Sequence, residues 1–546
     1  MQIFAGCCYR DPAETVAVFS PGDIQSGIDR IQELRDQGFY LLGYMRYSLE
    51  KPHEKGCPLI FFEAFRSCED LRDTANRDAA APCAADTAAL PVGIAVIPLI
   101  SREEYFNKIA FIREQILNGI AYEVNYTYPS LVKASISGLS LYNYLLRRQQ
   151  TPYNAFLENR YETIMSFSPE LFFRIKGRHI VTKPMKGTIR RGHTPEEDRK
   201  NRDFLARDPK NRAENLMIAD LLRNDLGMIA RDGTVRADRL FAIEEHPTVF
   251  QMTSEISAEL RSEVSLYDII RALYPCGSIT GAPKLSAMRV IREAELFDRE
   301  VYCGAIAWLH GDEAVFSVPI RILQKQHDEQ YFRYYAGGAV TFDSTAADEW
   351  EETLAKTKFL ESGFSLIETG TGNQDRELHL SRLRNSAREF GFAWPRELDS
   401  FAFPEDRVAR IELFRDGRYA ITERSLPEPA VRPRVRINGK VNSQNPFLYH
   451  KTSVRSPAPR DFFEEIRVNE RNEITEGTFT NVAAQIGDTL FTPPVSSGLL
   501  NGVMRQRLIR DGVLREKTLS PEDLRKSARI FCMNSVRGMF EVELCS

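Results

Sequence analysis

Two lysines stand in settings where an amine could do chemistry. The first is Lys186, in the run SFSPELFFRIKGRHIVTKPMKGT, where Glu170 lies sixteen positions earlier. A turn-like SFSPE leads into an apolar stretch, a Lys-Gly-Arg turn and a second apolar stretch. That pattern predicts a hairpin which returns Lys186 towards Glu170. A carboxyl group and an amine brought together in this way suit a general acid and a nucleophile. The second is Lys451, in NSQNPFLYHKTSVR, followed by Glu476 in ITEGTFTNV and by a GLLNGVMR segment that reads as a turn opening a helix. Taken singly, each residue has a plainer reading. Lys186 reads as a solvated turn residue, Lys451 as a surface lysine after an apolar-aromatic strand, and Glu476 as a turn acid.

The elements needed to position these residues are legible in outline. Residues 1–70 alternate short apolar runs (FYLLGYMRY, PLIFFEAF) with turn residues, as strands do. The Ala-rich stretch DTANRDAAAPCAADTAALP reads as an exposed loop. SREEYFNKIAFIREQILNG carries a Ser N-cap, early acids, helical apolar spacing and a terminal Gly. Strand-like segments (YEVNYTYP, TIMSFSP, YCGAIAWL, AVFSVPIRIL, YFRYYAGGAVT) then alternate with helical ones (AENLMIADLLRNDL, PKLSAMRVIREAEL, AADEWEETLAKTKFLESG). The fold class expected is α+β. After Gly363 a new pattern begins with FSLIETG and HLSRLRNSAREFGF, so domains are expected at 1–361 and 364–546.

Composition narrows the function classes. The chain has 546 residues, too many for one hydrophobic core. Its net charge of −4 argues against a nucleic-acid binder, which would carry a concentrated basic surface. No apolar run approaches the roughly 20 residues that span a bilayer. The N-terminal residues lack the basic flank and apolar core of a signal peptide. Nine cysteines without paired zinc-type spacing read as reduced thiols, and a cytoplasmic location is expected.

Several long segments, in order, resemble the chorismate-utilising enzymes over about Pro91 to Leu360: KNRAENLMIADLLRNDLG, YPCGSITGAPKLSAMRVI, YCGAIAWL, VPIRIL, AGGAVTFDS and DEWEETLAKTK. Residues 1–90 match that pattern only loosely. The resemblance implies an antiparallel sheet fold with flanking helices and a dianionic substrate, chorismate. It implies that Glu214, Glu349 and Glu352 bind Mg²⁺, and that Tyr302 and Arg321 hold the enolpyruvyl carboxylate. Ser278, Thr280 and Gly281, in a segment expected to open a helix, together with Gly337 and Gly338, would line the substrate. The form PMKGT resembles that of aminodeoxychorismate synthases, whereas anthranilate synthases have a small residue in place of the lysine. By resemblance, Lys186 attacks C2 of chorismate, Glu170 protonates the departing C4 hydroxyl, and ammonia then adds at C4. Anthranilate synthases carry a His in the segment that here reads TVFQMTS, and the residue here is Gln251.

The C-terminal segments resemble the fold-type IV pyridoxal-phosphate enzymes over about 364–546. The resemblance implies that Lys451 anchors pyridoxal 5′-phosphate and Glu476 pairs with its pyridinium nitrogen. Arg382, the backbone of Gly502 and Val503, and Ser535 would cup the phosphate. A 4-amino-4-deoxychorismate lyase would consume the product of the first half, so the expected outcome is 4-aminobenzoate. The alternatives are an anthranilate or isochorismate synthase first half joined to a D-amino-acid or branched-chain transaminase, and a C-terminal half that binds cofactor without turnover. No glutaminase pattern is apparent, so ammonia is expected from a separate glutamine amidotransferase subunit. Resemblance to enzymes with sites at dimer interfaces implies a homodimer.

Overall fold

The computed structural model describes all residues except 72–91, 193, 247–248, 429–431, 455–460 and 546. The Ala-rich stretch expected to be an exposed loop lies outside the described residues. The chain divides into two compact units. One holds the described residues of Met1–Pro82, Pro98–Leu131 and Tyr142–Phe359, the other those of Cys83–Ile97, Val132–Leu141 and Leu360–Ser546.

The first unit is built on two large, mainly antiparallel sheets. In one, the order runs Gly281–Ala282, Glu123–Ala134, Phe332–Val340, Ile322–Gln326, Glu162–Ser168, Tyr153–Glu158 and on to the N-terminal strands. In the other, Met185–Arg190 forms one end, followed by Val249–Glu259, His179–Lys183, Leu171–Lys176, Glu313–Ser317, Ala305–His310 and Tyr40–Met45. Side chains from both sheets, among them Ile164 and Ile322 from one and Phe173, Ile306 and Phe316 from the other, share one apolar core. This is a sandwich, in which each sheet buries one face against the other.

Two elements set up the site. The hairpin expected around Lys-Gly-Arg forms, with Leu171 opposite Lys183 and Lys176 opposite His179. Helix Pro209–Gly227 starts with Pro at its first position and the Asp208 carboxylate accepting from Asn211 N at 2.8 Å. Its buried residues, Asn215, Ile218, Ala219, Leu222, Asp225 and Leu226, fall at helical spacing on one face. The GSITGAPK segment differs from expectation. Gly277–Ile279 is a 3₁₀ turn and Gly281–Ala282 a short strand, and the helix begins only at Lys284. Gly281 and Ala282 pair with Val124 and Glu123, which draws the chain into extended form before Pro283 can start a helix.

The second unit contains a three-stranded antiparallel sheet, Leu366–Gly370, Arg407–Leu413 and Tyr419–Ser425. Leu380, Leu383, Ala387 and Phe390 of helix Arg376–Phe390 share its core with Leu366 and Ile411. A seven-stranded mixed sheet runs Glu464–Asn469, Arg434–Val441, Gly538–Cys545, Ile530–Asn534, Asn481–Ile486, Thr489–Thr492 and Leu514–Glu516, over a core of Val435, Ile466, Val482, Leu524, Cys532 and Val542. The strand expected before Lys451 is instead a 3₁₀ turn, Pro446–Tyr449, because Pro446 cannot donate to a ladder and Asn445 caps Phe447 N. Among the described residues no helix is long and apolar enough to cross a membrane. Every described cysteine is a thiol.

Candidate active sites

Closing the hairpin places Glu170 immediately before Leu171, and Leu171 pairs with Lys183, three residues ahead of Lys186. Glu170 is 5% exposed, and its Oε1 accepts from Ser278 Oγ at 2.5 Å. Burial pushes its pKa up to about 7, against the opposing pull of the Ser278 hydrogen bond and the Lys186 charge. A carboxyl group in that state is protonated in a large fraction of molecules at neutral pH and can serve as a general acid. Lys186 donates from Nζ to Glu123 Oε1 at 2.7 Å. Burial alone would lower the pKa of Lys186, but Glu123, with Glu214 and Glu170 in support, raises it.

The backbone that carries Lys186 is tightly specified. Between Met185 and Thr188 the pairing with Val249–Glu259 shifts register, and Gly187 within that bulge has φ of +92°. Gln251 Nε2 donates to Gly187 O at 3.0 Å, and Thr188 Oγ1 donates to Gln251 Oε1 at 2.9 Å. Asn215, fully buried on its helix, donates to the carbonyls of Lys186 and Met252, each at 3.4 Å, and accepts from Ser254. Both functions of the Gln251 amide are therefore spent on holding the turn that presents Lys186.

The three acids expected to bind metal share one electrostatic neighbourhood. Burial raises the pKa of Glu214 and of Glu349, and the Glu352 charge adds to both. Ser344 Oγ donates to Glu349 Oε1 at 2.7 Å. Glu352 is held below the ordinary carboxylate range by Lys356, whose Nζ lies 2.7 Å from Glu352 Oε1 and 2.6 Å from Gly337 O. A Cβ on Gly338 would sit 2.9 Å from Glu349 Oε2 and 3.6 Å from Glu352 Oε1, so a bare glycine leaves these two carboxylates space. Like charges crowded around an open position suit a hard divalent cation with oxygen ligands. Among the described residues, no group of three such side chains is already assembled as a ligand set. The donor chemistry suits Mg²⁺, and the acids would have to swing onto it.

The remaining expected contacts are spread around this centre. The Tyr302 ring stacks on Tyr335 with centroids 5.0 Å apart. Arg321 has φ of +54°, and burial lowers its pKa. Thr280 Oγ1 donates back to the carbonyls of Cys276 and Gly277, so this hydroxyl braces its own turn. Gly281 and Gly337 serve packing: a Cβ on either would lie 2.1 or 2.2 Å from a carbonyl oxygen of strand Glu123–Ala134, those of Glu123 and Tyr126.

In the second unit, Lys451 O accepts from Ile367 N at 2.8 Å, which fixes the lysine beside the strand carrying Glu368. Glu368 is fully buried. Its carboxylate accepts from Arg382 Nε at 2.9 Å and Nη2 at 2.6 Å, and lies 2.9 Å from His379 Nδ1. Arg382, His379 and Lys451 together hold Glu368 well below the ordinary carboxylate range despite burial. Arg382 Nη1 donates to Asn501 O at 3.3 Å, which brings the guanidinium to the start of helix Val503–Arg510, where Gly502 is the N-cap. A Cβ on Gly502 would lie 2.0 Å from Asn481 Oδ1. Asn481 Nδ2 in turn donates to Glu476 Oε2 at 3.1 Å and to Leu500 O at 2.9 Å. Glu476 is 4% exposed. Ser535 Oγ donates to Thr369 O at 3.4 Å. A cation at a helix N-terminus suits a phosphate, and a buried acid nearby suits a protonated ring nitrogen. The donor set fits pyridoxal 5′-phosphate.

Four groups escaped the reading of the sequence: Glu123, Lys356, Glu368 and Asn481. Glu123 and Glu368 sit in apolar strand patterns, where an isolated acid carries no spacing signal. Glu368 nonetheless begins the ETG that follows an apolar run, and a charge inside a strand expected to be buried is a signal that could have found it.

Comparison with known proteins supplies the chemical context. Residues 18–362 match the family described as chorismate binding enzyme, and residues 373–545 match amino-transferase class IV. The chain is 38% identical over 258 residues to aminodeoxychorismate synthase component 1 of Klebsiella aerogenes, covering 47% of this chain and 57% of that protein. It is 39% identical over 278 residues to aminodeoxychorismate synthase of Streptomyces griseus, covering 50% of this chain and 38% of that protein. Matched segments thus span about half the length of such relatives, or less. Anthranilate synthase component I of Streptococcus pneumoniae superposes with a TM-score of 0.57 at 22% identity, over 65% of this chain and 92% of that structure, which shows a common fold. With its sandwich, its lysine–acid pair and the family match over 18–362, the chain belongs to the chorismate binding enzyme family.

Proposed function

We propose that the chain makes 4-aminobenzoate from chorismate in two steps, amination on residues 1–361 and cleavage on residues 364–546. The observation that carries the reading is a largely enclosed Lys186 amine within electrostatic reach of Glu170, an acid whose pKa burial raises to about 7. The Lys186 lone pair adds at C2 of chorismate. The ring double bonds shift, the C4–O bond breaks, and the Glu170 proton leaves with the hydroxyl as water. Ammonia then adds at C4 by the reverse displacement and expels the lysine. Arg321 and Tyr302 hold the enolpyruvyl carboxylate, and Glu214, Glu349 and Glu352 would hold a Mg²⁺ whose charge would neutralise the ring carboxylate.

For the second step, pyridoxal 5′-phosphate, when bound, supplies an electron sink. Arg382, Gly502, Val503 and Ser535 would hold its phosphate, and Glu476 would pair with its ring nitrogen. Lys451 takes the C4 proton of the amino intermediate, so that loss of pyruvate leaves the aromatic ring. The thiols suit a cytoplasmic location. Ammonia comes from a separate glutamine amidotransferase subunit or from free ammonium, and the second unit pairs with its copy in a homodimer.

The test supplies chorismate, Mg²⁺, ammonium and pyridoxal phosphate and identifies the aromatic product by chromatography. Lys186→Ala loses amination yet still cleaves supplied 4-amino-4-deoxychorismate, whereas Lys451→Ala accumulates that intermediate. Anthranilate as product, or undiminished amination by Lys186→Ala, refutes the assignment.

A further inference from the structure

We propose that Glu123 is the base that takes the ammonium proton of Lys186 and so arms it as a nucleophile; this rests on the amination reading above. An amine attacks only with its lone pair free, and the carboxylates that face Lys186, Glu123 within 2.7 Å among them, favour its ammonium form. Three carboxyl groups face it from three elements: Glu123 from strand Glu123–Ala134, Glu170 from the start of the hairpin, and Glu214 from helix Pro209–Gly227. Around Glu214 in turn stand Lys210 and Glu352. Glu170 and Glu214 act on Lys186 through charge, whereas Glu123 also accepts its hydrogen bond. Glu170 must keep its proton for the departing hydroxyl and cannot serve both roles in one step.

The setting of Glu123 suits a proton acceptor. Its side chain is fully buried, and the Lys186 side chain is 12% exposed. Asn125 Nδ2 donates to Glu123 Oε1 at 3.3 Å, while Glu123 Oε2 is buried without a hydrogen-bond partner. Ala282 pairs with Glu123, and Gly281 lets that segment close on the Glu123 carbonyl, so the strand holds the carboxylate in place. Burial of the lysine opposes its charged form, so the penalty relieved by proton transfer to the hydrogen-bonded carboxylate offsets part of the attraction that holds the ammonium ion. Transfer along the 2.7 Å hydrogen bond moves one proton from Nζ to Oε1 and leaves the N–H electron pair on nitrogen as the attacking lone pair. When ammonia expels the lysine, the amine returns neutral and recovers that proton from Glu123.

The experiment compares Glu123→Gln with the wild type in the full chain, following amination with saturating ammonium across pH 6 to 10. The base assignment expects kcat to fall by about 100-fold or more near neutral pH, with KM changed less than about threefold. It also expects the ratio of variant to wild-type kcat to climb with pH as the lysine loses its proton to solvent, since ionisation of Glu170 above about pH 7 slows both proteins alike. An unchanged or raised kcat near neutrality overturns the proposal, since Glu123 would then only pin the lysine. A second variant, Glu123→Ala, covers the event that the glutamine protein misfolds. Added formate should restore its amination in a saturable way, and no restoration in a variant that still cleaves supplied 4-amino-4-deoxychorismate overturns the assignment. Wild-type protein that makes no amino product from chorismate and ammonium fails the amination reading itself. Wild-type protein that does so while Glu123→Gln keeps pace fails the base assignment alone.

Discussion

Replacing Glu170 with Gln separates its chemistry from its effect on stability, because the two respond to pH in opposite ways. From the ordinary 4.5 to about 7, the folded protein holds this proton more tightly by about 3 kcal/mol. The pKa is raised, so the associated stabilisation is fully present below the unfolded value near 4.5 and is lost as pH rises through about 7. At pH 9 the wild type carries an ionised carboxylate in a buried site, while the amide of Glu170→Gln stays neutral and still accepts from Ser278. The variant should match the wild type near pH 4 and exceed it at pH 9 by up to about 3 kcal/mol. For a unit of this size that is a rise of several degrees, on the order of 5 °C, in the melting transition. Amination should fall by at least about 100-fold at or below neutral pH, and the deficit should narrow above about pH 7, where the wild-type rate declines as the acid ionises. Differential scanning fluorimetry at several pH values, with cleavage of supplied intermediate as the internal control, reads both effects. A melting difference that does not vary with pH refutes the claim that Glu170 is protonated by burial.

Gly187→Ala forces a side chain to φ of +92° and to within 2.8 Å of Asn211 Oδ1, so the bulge that presents Lys186 should shift. Its strain is about 1–2 kcal/mol, and we expect amination to drop at least about tenfold with cleavage unchanged. Equal loss in both assays would show a global rather than a local effect. Glu368→Gln removes the charge that Arg382 and His379 share, and losing one side of a buried pair is expected to destabilise the second unit by about 3–5 kcal/mol. Because the Glu368 pKa is lowered, that stabilisation is present above the ordinary carboxylate range and vanishes only in strong acid. Spectroscopic titration with pyridoxal phosphate should show weaker binding by Glu368→Gln, and unchanged melting together with unchanged affinity counts against the network.

Much of the framework follows from local rules. Helix Arg102–Leu117 starts where Ser101 caps Glu104 N, and helix Arg376–Phe390 ends at Gly391 with φ of +70°, both as sequence spacing implies. The hairpin after Glu170 is equally local, since a Lys-Gly-Arg turn between apolar runs has few other uses. The misses share a cause. GSITGAPK looks like a capped helix start until a strand far earlier in the chain pairs with Gly281 and Ala282 and keeps them extended. Pro446 and Asn445 turn an apolar run that looks like a strand into a 3₁₀ turn before Lys451.

By itself the sequence determined that a hairpin would carry the chain back from Glu170 towards Lys186, because a Lys-Gly-Arg turn between two apolar runs folds one onto the other. It also determined that a second lysine lies in a separate C-terminal pattern. The state of those groups came only from tertiary structure. Burial is what keeps the Glu170 proton, against the pull of the Ser278 hydrogen bond, Glu123 is what holds Lys186 as an ammonium ion, and Arg382 and His379 are what keep Glu368 ionised. Each partner arrives from another element, and the loss of water at the point where they meet makes their charges decisive.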